Sequence, residues 1–428
     1  MTDIGTAVRA AIYDKLDSDD RQPLFSLDVA SWLGGPADSS VLTFGVLVPK
    51  PAFWLHVLAL VLLEVGVVCI IAIINYKLII RWRGTASAYL VGFAVVFPIC
   101  LSLPYVIITT FGIRNMVIKF ALATIMPVLT IFHTMETMFD TTPPGVESSL
   151  GQYMLYLASP LEVCYEEKTH CALRVTKGET QESLLEFGLM VPVVGLYQSI
   201  LGPLGYEPFV TKVPLGSIDH SVLDLFSLGH LGNNLMQTLL LQLYLTAFSL
   251  GLKAATNIAV GVRTKHIMDN PLLGSRSPSD FWGKKWNTLI HGVLKRAIFK
   301  PVRRKFPRWV AAFAAFAASG FFHEWILRAT FFVPDQCADE YELCQESGFQ
   351  PAYGKNIVFF LLNAMTISLE YVFGGMYLFQ WVGKNLPRPV ISLLVVSTAL
   401  PYTHLFTTDY INHILDDGKF GFPLILMA

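Results

Sequence analysis

Long apolar stretches separated by polar breaks set the pattern of this chain. A bilayer span needs about 20 mostly apolar residues. The pattern predicts eight spans: Phe53–Tyr76, Ala86–Ile113, Met116–Phe139, Leu185–Tyr206, His230–Leu252, Trp309–Val333, Asn356–Val382 and Pro389–Thr408. Leu150–Cys164 is too short to cross and is expected in the interface. Between the fifth and sixth spans lies a long polar break. Within it Phe281, Trp282, Trp286, Leu289, Ile290, Val293, Leu294, Ala297 and Ile298 recur at helical spacing. The run Ser277-Pro278-Ser279-Asp280 reads as the start of that helix: Ser277 as N-cap, Pro278 at the first helical position, Asp280 reaching back as in a capping box. Lys284, Lys285, Lys295 and Arg296 fall largely off the apolar stripe. The segment is therefore predicted to be an amphipathic helix lying in the headgroup plane.

Composition agrees with the pattern. Hydrophobic residues make up 53% of the 428 positions, charged residues only 15%, and the mean hydropathy is +0.52. Soluble proteins carry roughly 25% charged residues, so this is an integral membrane protein. The fold class predicted is an all-α polytopic bundle of about eight transmembrane helices, with interfacial amphipathic helices. It reads as one membrane domain, 53–428, after a polar N-terminal segment, 1–52, with no internal repeat. That polar, acidic start has no basic residues followed by an apolar core, so no cleaved signal peptide is expected.

The net charge of −1 says nothing about partners, but its distribution sets an orientation. Lys77, Arg81 and Arg83 place the first loop in the cytoplasm. The loop between the fifth and sixth spans falls on the same side, with seven lysines and six arginines against Asp269 and Asp280. The next loop, with Asp335, Asp339, Glu340, Glu342 and Glu346, falls on the other side. Cys337 and Cys344 would face that oxidising side and could pair, while Cys164 and Cys171 would stay reduced. Cys69 and Cys100 read as inert core thiols. No basic patch with interleaved aromatics lies outside the membrane-flanking loop, so nucleic acid is not an expected partner.

The chemistry concentrates in two places. In the sixth span His323 interrupts the apolar run SGFFHEW. An ionisable ring at membrane depth is costly and functional by default, and imidazole exchanges a proton near neutral pH. The bland alternative is a Glu324–Arg328 pair one turn apart beside a satisfied histidine; it explains the two charges but not His323. Upstream, FWGKKWN ends at Asn287, a polar side chain close to the apolar stripe, where a buried amide needs partners. The alternative there is a plain lipid anchor. HEWIL lacks the second histidine of a zinc motif, and no G-x-S-x-G or Gly-rich phosphate loop is present. His220 and Asp224 form an isolated H-x-x-x-D, read as chance. Glu64, Glu136, Asn233, Asn234, Gln237, Asn363 and Glu370 also sit in spans, either lining a cavity or binding helices together.

FWGKKWN followed by SGFFHEW resembles the paired signature of the membrane-bound O-acyltransferases. SPSDFWGKKWNTLIHGVLKRAIFKPV most resembles their wax synthase branch. The resemblance covers roughly Asn270 to Arg328. It implies a multi-helix fold around an intramembrane reaction chamber and transfer of a fatty acyl group from acyl-CoA to a hydroxyl, with His323 matching the catalytic histidine and Asn287 the second active-site residue. His323 would act as general base on a lipid alcohol, and Asn287 would orient the thioester or steady its oxyanion. Lys284, Lys285 and Arg296, with Trp286 beside them, would meet the CoA phosphates. Acyl-CoA is then a co-substrate, and no cofactor or metal is implied. The wax-like form points to a fatty alcohol, with diacylglycerol or a sterol as the alternative acceptor. A lipid transporter or lipid-binding protein is the reading from another class. Acyl-CoA chemistry points to the endoplasmic reticulum membrane.

Overall fold

The computed structural model describes residues 21–28, 43–49, 51–113, 115–213, 221–333, 351–411 and 424–427. Among these, seven helices are long and apolar enough to cross a bilayer, and a bent pair makes an eighth if taken as one span. In chain order the helices used below are α1 (Val57–Ile79), α2 (Ala86–Phe111), α3 (Met116–Met138), the short α4 (Leu150–Ala158), α5 (Lys177–Leu201), α6 (Leu228–Ala259), the short α7 (Thr288–Leu294), α8 (Arg308–Thr330), α9 (Lys355–Phe373), α10 (Tyr377–Asn385), α11 (Arg388–Ser397) and α12 (His404–Tyr410). The all-α polytopic fold is as expected.

The bundle is apolar outside as well as inside. On α1, Leu62 and Ile70 are 61% and 60% exposed, while Val68, Ile71 and Ala72 are buried with Tyr153, Tyr156 and Leu157 of α4. An outward apolar face of this kind belongs against lipid. The interfacial segment Leu150–Cys164 thus supplies a helix that packs on the first span. The second half of α3 is the centre of the bundle: from Met126 to Met138 nearly every side chain is buried, polar ones included. His133, Thr134, Glu136 and Thr137 find local partners, whereas the Thr130 hydroxyl has none among the described residues. Thr134 Oγ1 accepts from Asn75 Nδ2 at 2.9 Å, and Thr137 Oγ1 lies 2.6 Å from the Tyr153 hydroxyl.

Several boundaries differ from expectation, each for a local reason. α5 starts at Lys177 rather than Leu185, because Thr176 and Glu179 close a capping box. The seventh predicted span stops at Phe373, and Tyr377–Asn385 forms a separate helix. The last span turns by 73° between Tyr402 and His404. Pro401 removes a backbone donor at that break. Leu400 O accepts from Asn234 Nδ2 at 2.7 Å, His230 Nε2 lies 3.2 Å from Pro401 O, and Thr407 Oγ1 donates to Gln237 Oε1 at 2.7 Å. His230, Asn234 and Gln237 of α6 are thus spent on a broken neighbour, as a membrane interior requires. The terminal segments add a small antiparallel sheet in the order β1 (Arg21–Asp28), β2 (Thr43–Pro49), β3 (Leu424–Met427), which hydropathy did not foresee.

The predicted amphipathic helix is not continuous. A helical turn at Pro278–Asp280 opens into a π-helical turn, Phe281–Lys285; Trp286 is extended, and α7 begins after Asn287. A second π turn, Lys295–Phe299, follows. Its apolar stripe meets protein: Leu289, Val293 and Ala297 join the main core with Val128, Leu129 and Phe132 of α3 and Ile326 and Leu327 of α8. Cys69, Cys100, Cys164 and Cys171 are free thiols. Cys337, Cys344 and His220 lie outside the described residues.

Candidate active site

His323 lies two-thirds of the way along α8. Its Nδ1 is 2.7 Å from the carbonyl oxygen of Ser319, one turn back. A carbonyl only accepts, so Nδ1 carries the proton, and the neutral ring keeps its lone pair on Nε2. The ring is walled by Phe360 at 4.7 Å, Phe406 at 5.2 Å and Tyr410 at 6.3 Å between centroids. The small residues before it let α9 approach: a Cβ on Gly320 would sit 2.8 Å from Ile357 Cα. Glu324 does not serve mainly as a partner for Arg328. Its Oε1 accepts from the backbone N–H of Asn356 at 2.8 Å and of Ile357 at 3.4 Å, capping α9.

Asn287 is built into the break between the π turn and α7. It adopts the left-handed conformation, φ 43° and ψ 65°, which Asn tolerates better than other non-glycine residues. Its Oδ1 accepts from Ile290 N–H at 3.2 Å as the N-cap of α7. Because the oxygen is held by the helix end, the amide is oriented, and Nδ2 is left as a directed donor.

One cavity of about 1310 Å³ brings the two together: His323 and Asn287 both line it. A single drug-sized ligand occupies a pocket of roughly 300–1,000 Å³, so this one has room for more than one such molecule. One wall is aliphatic, with Val128, Leu129, Leu241 and Leu245 among its residues; another is aromatic, with Trp282, Phe359, Phe360 and Phe406. Lys284 and Trp286 line it as well. The Lys284 side chain is 77% exposed and lies 3.8 Å from Asp280, so its charge remains available at a rim.

Two of the expected phosphate contacts sit elsewhere. Lys285 Nζ pairs with Asp269 at 2.6 Å, and Lys285 is not among the lining residues. Arg296 points into the bundle: its Nε is 3.1 Å from Glu136 Oε1 and its guanidinium 3.2 Å from Glu162 Oε1. Tyr156 donates to the same Glu136. A charged stripe on a helix does not reveal which of its members faces an acidic residue from another span. The cavity takes its further cationic groups from Lys295 and Arg308, the latter 4.5 Å above the Tyr371 ring. It also takes a neutral imidazole, His291. Burial, with Lys295 and Arg296 beside it, pushes the His291 ring down to about 4. The sequence did not assign these three to the site, although Lys295 stood on the charged side of the stripe; their place within the same basic loop was the available signal.

Residues 265–337 match the model of the membrane bound O-acyl transferase family. The probable long-chain-alcohol O-fatty-acyltransferase 9 of Arabidopsis thaliana is 32% identical over 81 residues, 17% of this chain and 24% of its own length. The long-chain-alcohol O-fatty-acyltransferase of Simmondsia chinensis is 39% identical over 56 residues, 11% of this chain and 16% of its own. The acyl-CoA–sterol O-acyltransferase 1 of Arabidopsis thaliana is 26% identical over 170 residues, 38% of this chain and 44% of its own. The chain thus spans under half the length of each of these relatives. On residues 265–337, the segment that holds both Asn287 and His323, the chain is similar to the membrane-bound O-acyltransferases and most resembles their wax synthase branch.

Proposed function

We propose that this protein transfers a long-chain fatty acyl group from acyl-CoA to the hydroxyl of a lipid alcohol. The observation that carries the reading is the shared cavity, where the Nε2 lone pair of His323 and the oriented Asn287 amide meet apolar walls and a rim of cations. The alcohol hydroxyl gives its proton to Nε2 as its oxygen attacks the thioester carbon. Negative charge gathers on the carbonyl oxygen, where an Nδ2–H of Asn287 offers a hydrogen bond. The C–S bond then breaks, and the CoA thiolate takes the proton from His323, leaving the ester and free CoA. Lys284, Lys295 and Arg308 supply the positive charge for the CoA phosphates; Lys285 and Arg296 are spent on Asp269, Glu136 and Glu162. Apolar walls keep water from the thioester.

A fatty alcohol, giving a wax ester, is the acceptor we favour, because several relatives carry long-chain-alcohol acyltransferase names. A sterol is the second reading, favoured by the longer match to the sterol acyltransferase relative. The endoplasmic reticulum is the proposed membrane. The test is to supply labelled acyl-CoA with fatty alcohol, diacylglycerol or sterol to membranes of a strain without neutral-lipid synthesis. A labelled wax ester made by the unsubstituted chain and not by His323→Ala is the expected result. A different His323-dependent ester changes the acceptor, and no ester from any alcohol overturns the proposal.

A further inference from the structure

Asn287 and His323 stand on different elements, and something must fix their separation. The answer lies on α9. Asn356, Asn363 and Glu370 are spaced seven residues apart, which puts them within about 20° of one helix face. Each meets an element that carries the chemistry. At Asn356 the backbone N–H binds Glu324, the residue after His323, at 2.8 Å. Seven residues on, Asn363 Oδ1 accepts from Trp282 Nε1–H at 3.0 Å, while its Nδ2 donates to Phe359 O at 2.9 Å, so the amide is pinned at both ends. Another seven residues on, the Glu370 carboxylate accepts from Ser279 N–H at 2.7 Å and from the Ser279 hydroxyl at 2.8 Å. The segment Ser279–Asn287 is thereby held at two points to the helix that Glu324 ties to the His323 turn. Ring contacts complete the chain: Trp282 lies 6.1 Å from Phe360, and Phe360 lies 4.7 Å from His323.

Neither Asn363 nor Glu370 lines the cavity, although their neighbours Phe359, Phe360, Ile367 and Tyr371 do. They do not reach the reacting atoms. We infer that Asn363 and Glu370 are positioning residues, two tethers on one face of α9 that hold the Asn287 segment in register with His323; their effect on rate rests on the acyl transfer proposed above. A polar residue in a span needs a partner, and here both partners lie in the segment that must be placed to within a fraction of an ångström for transfer.

The experiment has two arms on detergent-purified full-length protein. The kinetic arm uses Asn363→Leu, Asn363→Asp, Trp282→Phe and the Trp282→Phe/Asn363→Leu pair. Asp, held protonated by its apolar surroundings, keeps the acceptor for the indole N–H and offers an O–H to Phe359 O, so it should hold kcat within about threefold, whereas Leu should lower kcat by about ten- to thirtyfold with KM for acyl-CoA little changed. The double variant should be no slower than its slower parent, because both changes cut one bond. The structural arm follows hydrogen exchange in Glu370→Ala, where the Ser279 amide and the peptide 281–287 should exchange at least about tenfold faster while α8 stays protected. Unaltered exchange there overturns the tether. So does a kcat loss that Asp fails to rescue, or one that multiplies in the double variant. If the unsubstituted chain makes no ester, the acyl-transfer reading fails, and the exchange result alone then decides the tether.

Discussion

Asn287 carries three separable burdens, and its substitutions can tell them apart. It holds a left-handed backbone, it caps α7 through Oδ1, and it is proposed to donate through Nδ2. Alanine abolishes all three. The backbone strain costs about 1–2 kcal/mol and the lost cap about 1 kcal/mol. Asn287→Ala should therefore destabilise the fold by roughly 2–3 kcal/mol in addition to any effect on rate. Aspartate keeps the cap acceptor and tolerates the backbone but offers no N–H. Glycine keeps the backbone and loses little as an N-cap, a few tenths of a kcal/mol. Both should hold thermal stability in detergent close to that of the unsubstituted chain. Both should nonetheless lower turnover by about 10²- to 10³-fold, as removal of one oxyanion donor does elsewhere. The assay is initial-rate ester formation from labelled acyl-CoA, read beside a thermal shift on the same preparations. Stable Asp and Gly variants that turn over within about threefold of the unsubstituted chain would refute the donor role, since that role needs a loss of at least about a hundredfold.

Four further substitutions test the same picture. His323→Ala should reduce ester formation by at least about 10²-fold with an unaltered elution profile; retained activity removes the base. Arg296→Met should destabilise by about 3–5 kcal/mol, because Glu136 is fully buried and loses its counter-charge. Residual Arg296→Met protein should show an unaltered KM for acyl-CoA, whereas Lys284→Ala should raise that KM and leave the melting temperature alone; the reverse pattern would return Arg296 to the phosphate site. His291 sets a pH dependence. Its folded value of about 4 lies below its ordinary 6.5, so the unfolded chain binds the proton first as pH falls. That stabilisation is complete above about pH 6.5 and is lost as pH falls toward about 4. Melting temperatures measured across that window should drop, and His291→Gln should flatten the slope; an equal slope in both proteins assigns it to other groups.

The approximate span count and the helical class were legible, as were the two residues, His323 and Asn287, that share one cavity, because each rests on a one-dimensional signal. Hydropathy counts spans, and a polar residue in an apolar run marks itself. What could not be read was which partner each polar residue finds. Glu370 and Asn363 look alike in sequence to Glu136 and Asn234, yet the first two face the Asn287 segment, Glu136 meets Arg296, and Asn234 meets Leu400 O. Lys285 and Arg296 share the basic loop with Lys284, but Lys285 is taken by Asp269 of the same loop and Arg296 by Glu136 and Glu162, brought in from elsewhere in the chain. The Thr176–Glu179 capping box was present in the sequence as a T-x-x-E start, and hydropathy alone passes over it. The terminal sheet left no such mark, because its pairing joins residues near opposite ends of the chain.

Departures from regular helix occur away from the cavity, at the π turns Asn75–Ile79 and Val91–Val96, and also at its border. The π turn at Phe281–Lys285, the left-handed Asn287 and the break around Tyr402–Thr403 all border the cavity. An unbroken α-helix satisfies its backbone internally and has no free end to aim. Breaking it frees donors and acceptors, each costly in an apolar interior unless a partner is supplied. Two of these breaks are provided for: Asn234 answers the freed carbonyl at Leu400, and the Asn287 side chain answers the first turn of α7. A cap differs from an ordinary backbone bond in one respect that matters here. It uses a side-chain oxygen and leaves the amide nitrogen of the same group pointing away from the helix, held in orientation by the structure behind it. A serine or threonine cap would satisfy the same helix end through one oxygen without this separate NH₂ donor. On the proposed donor role, asparagine at 287 combines a left-handed turn, a helix end and a donor in one residue.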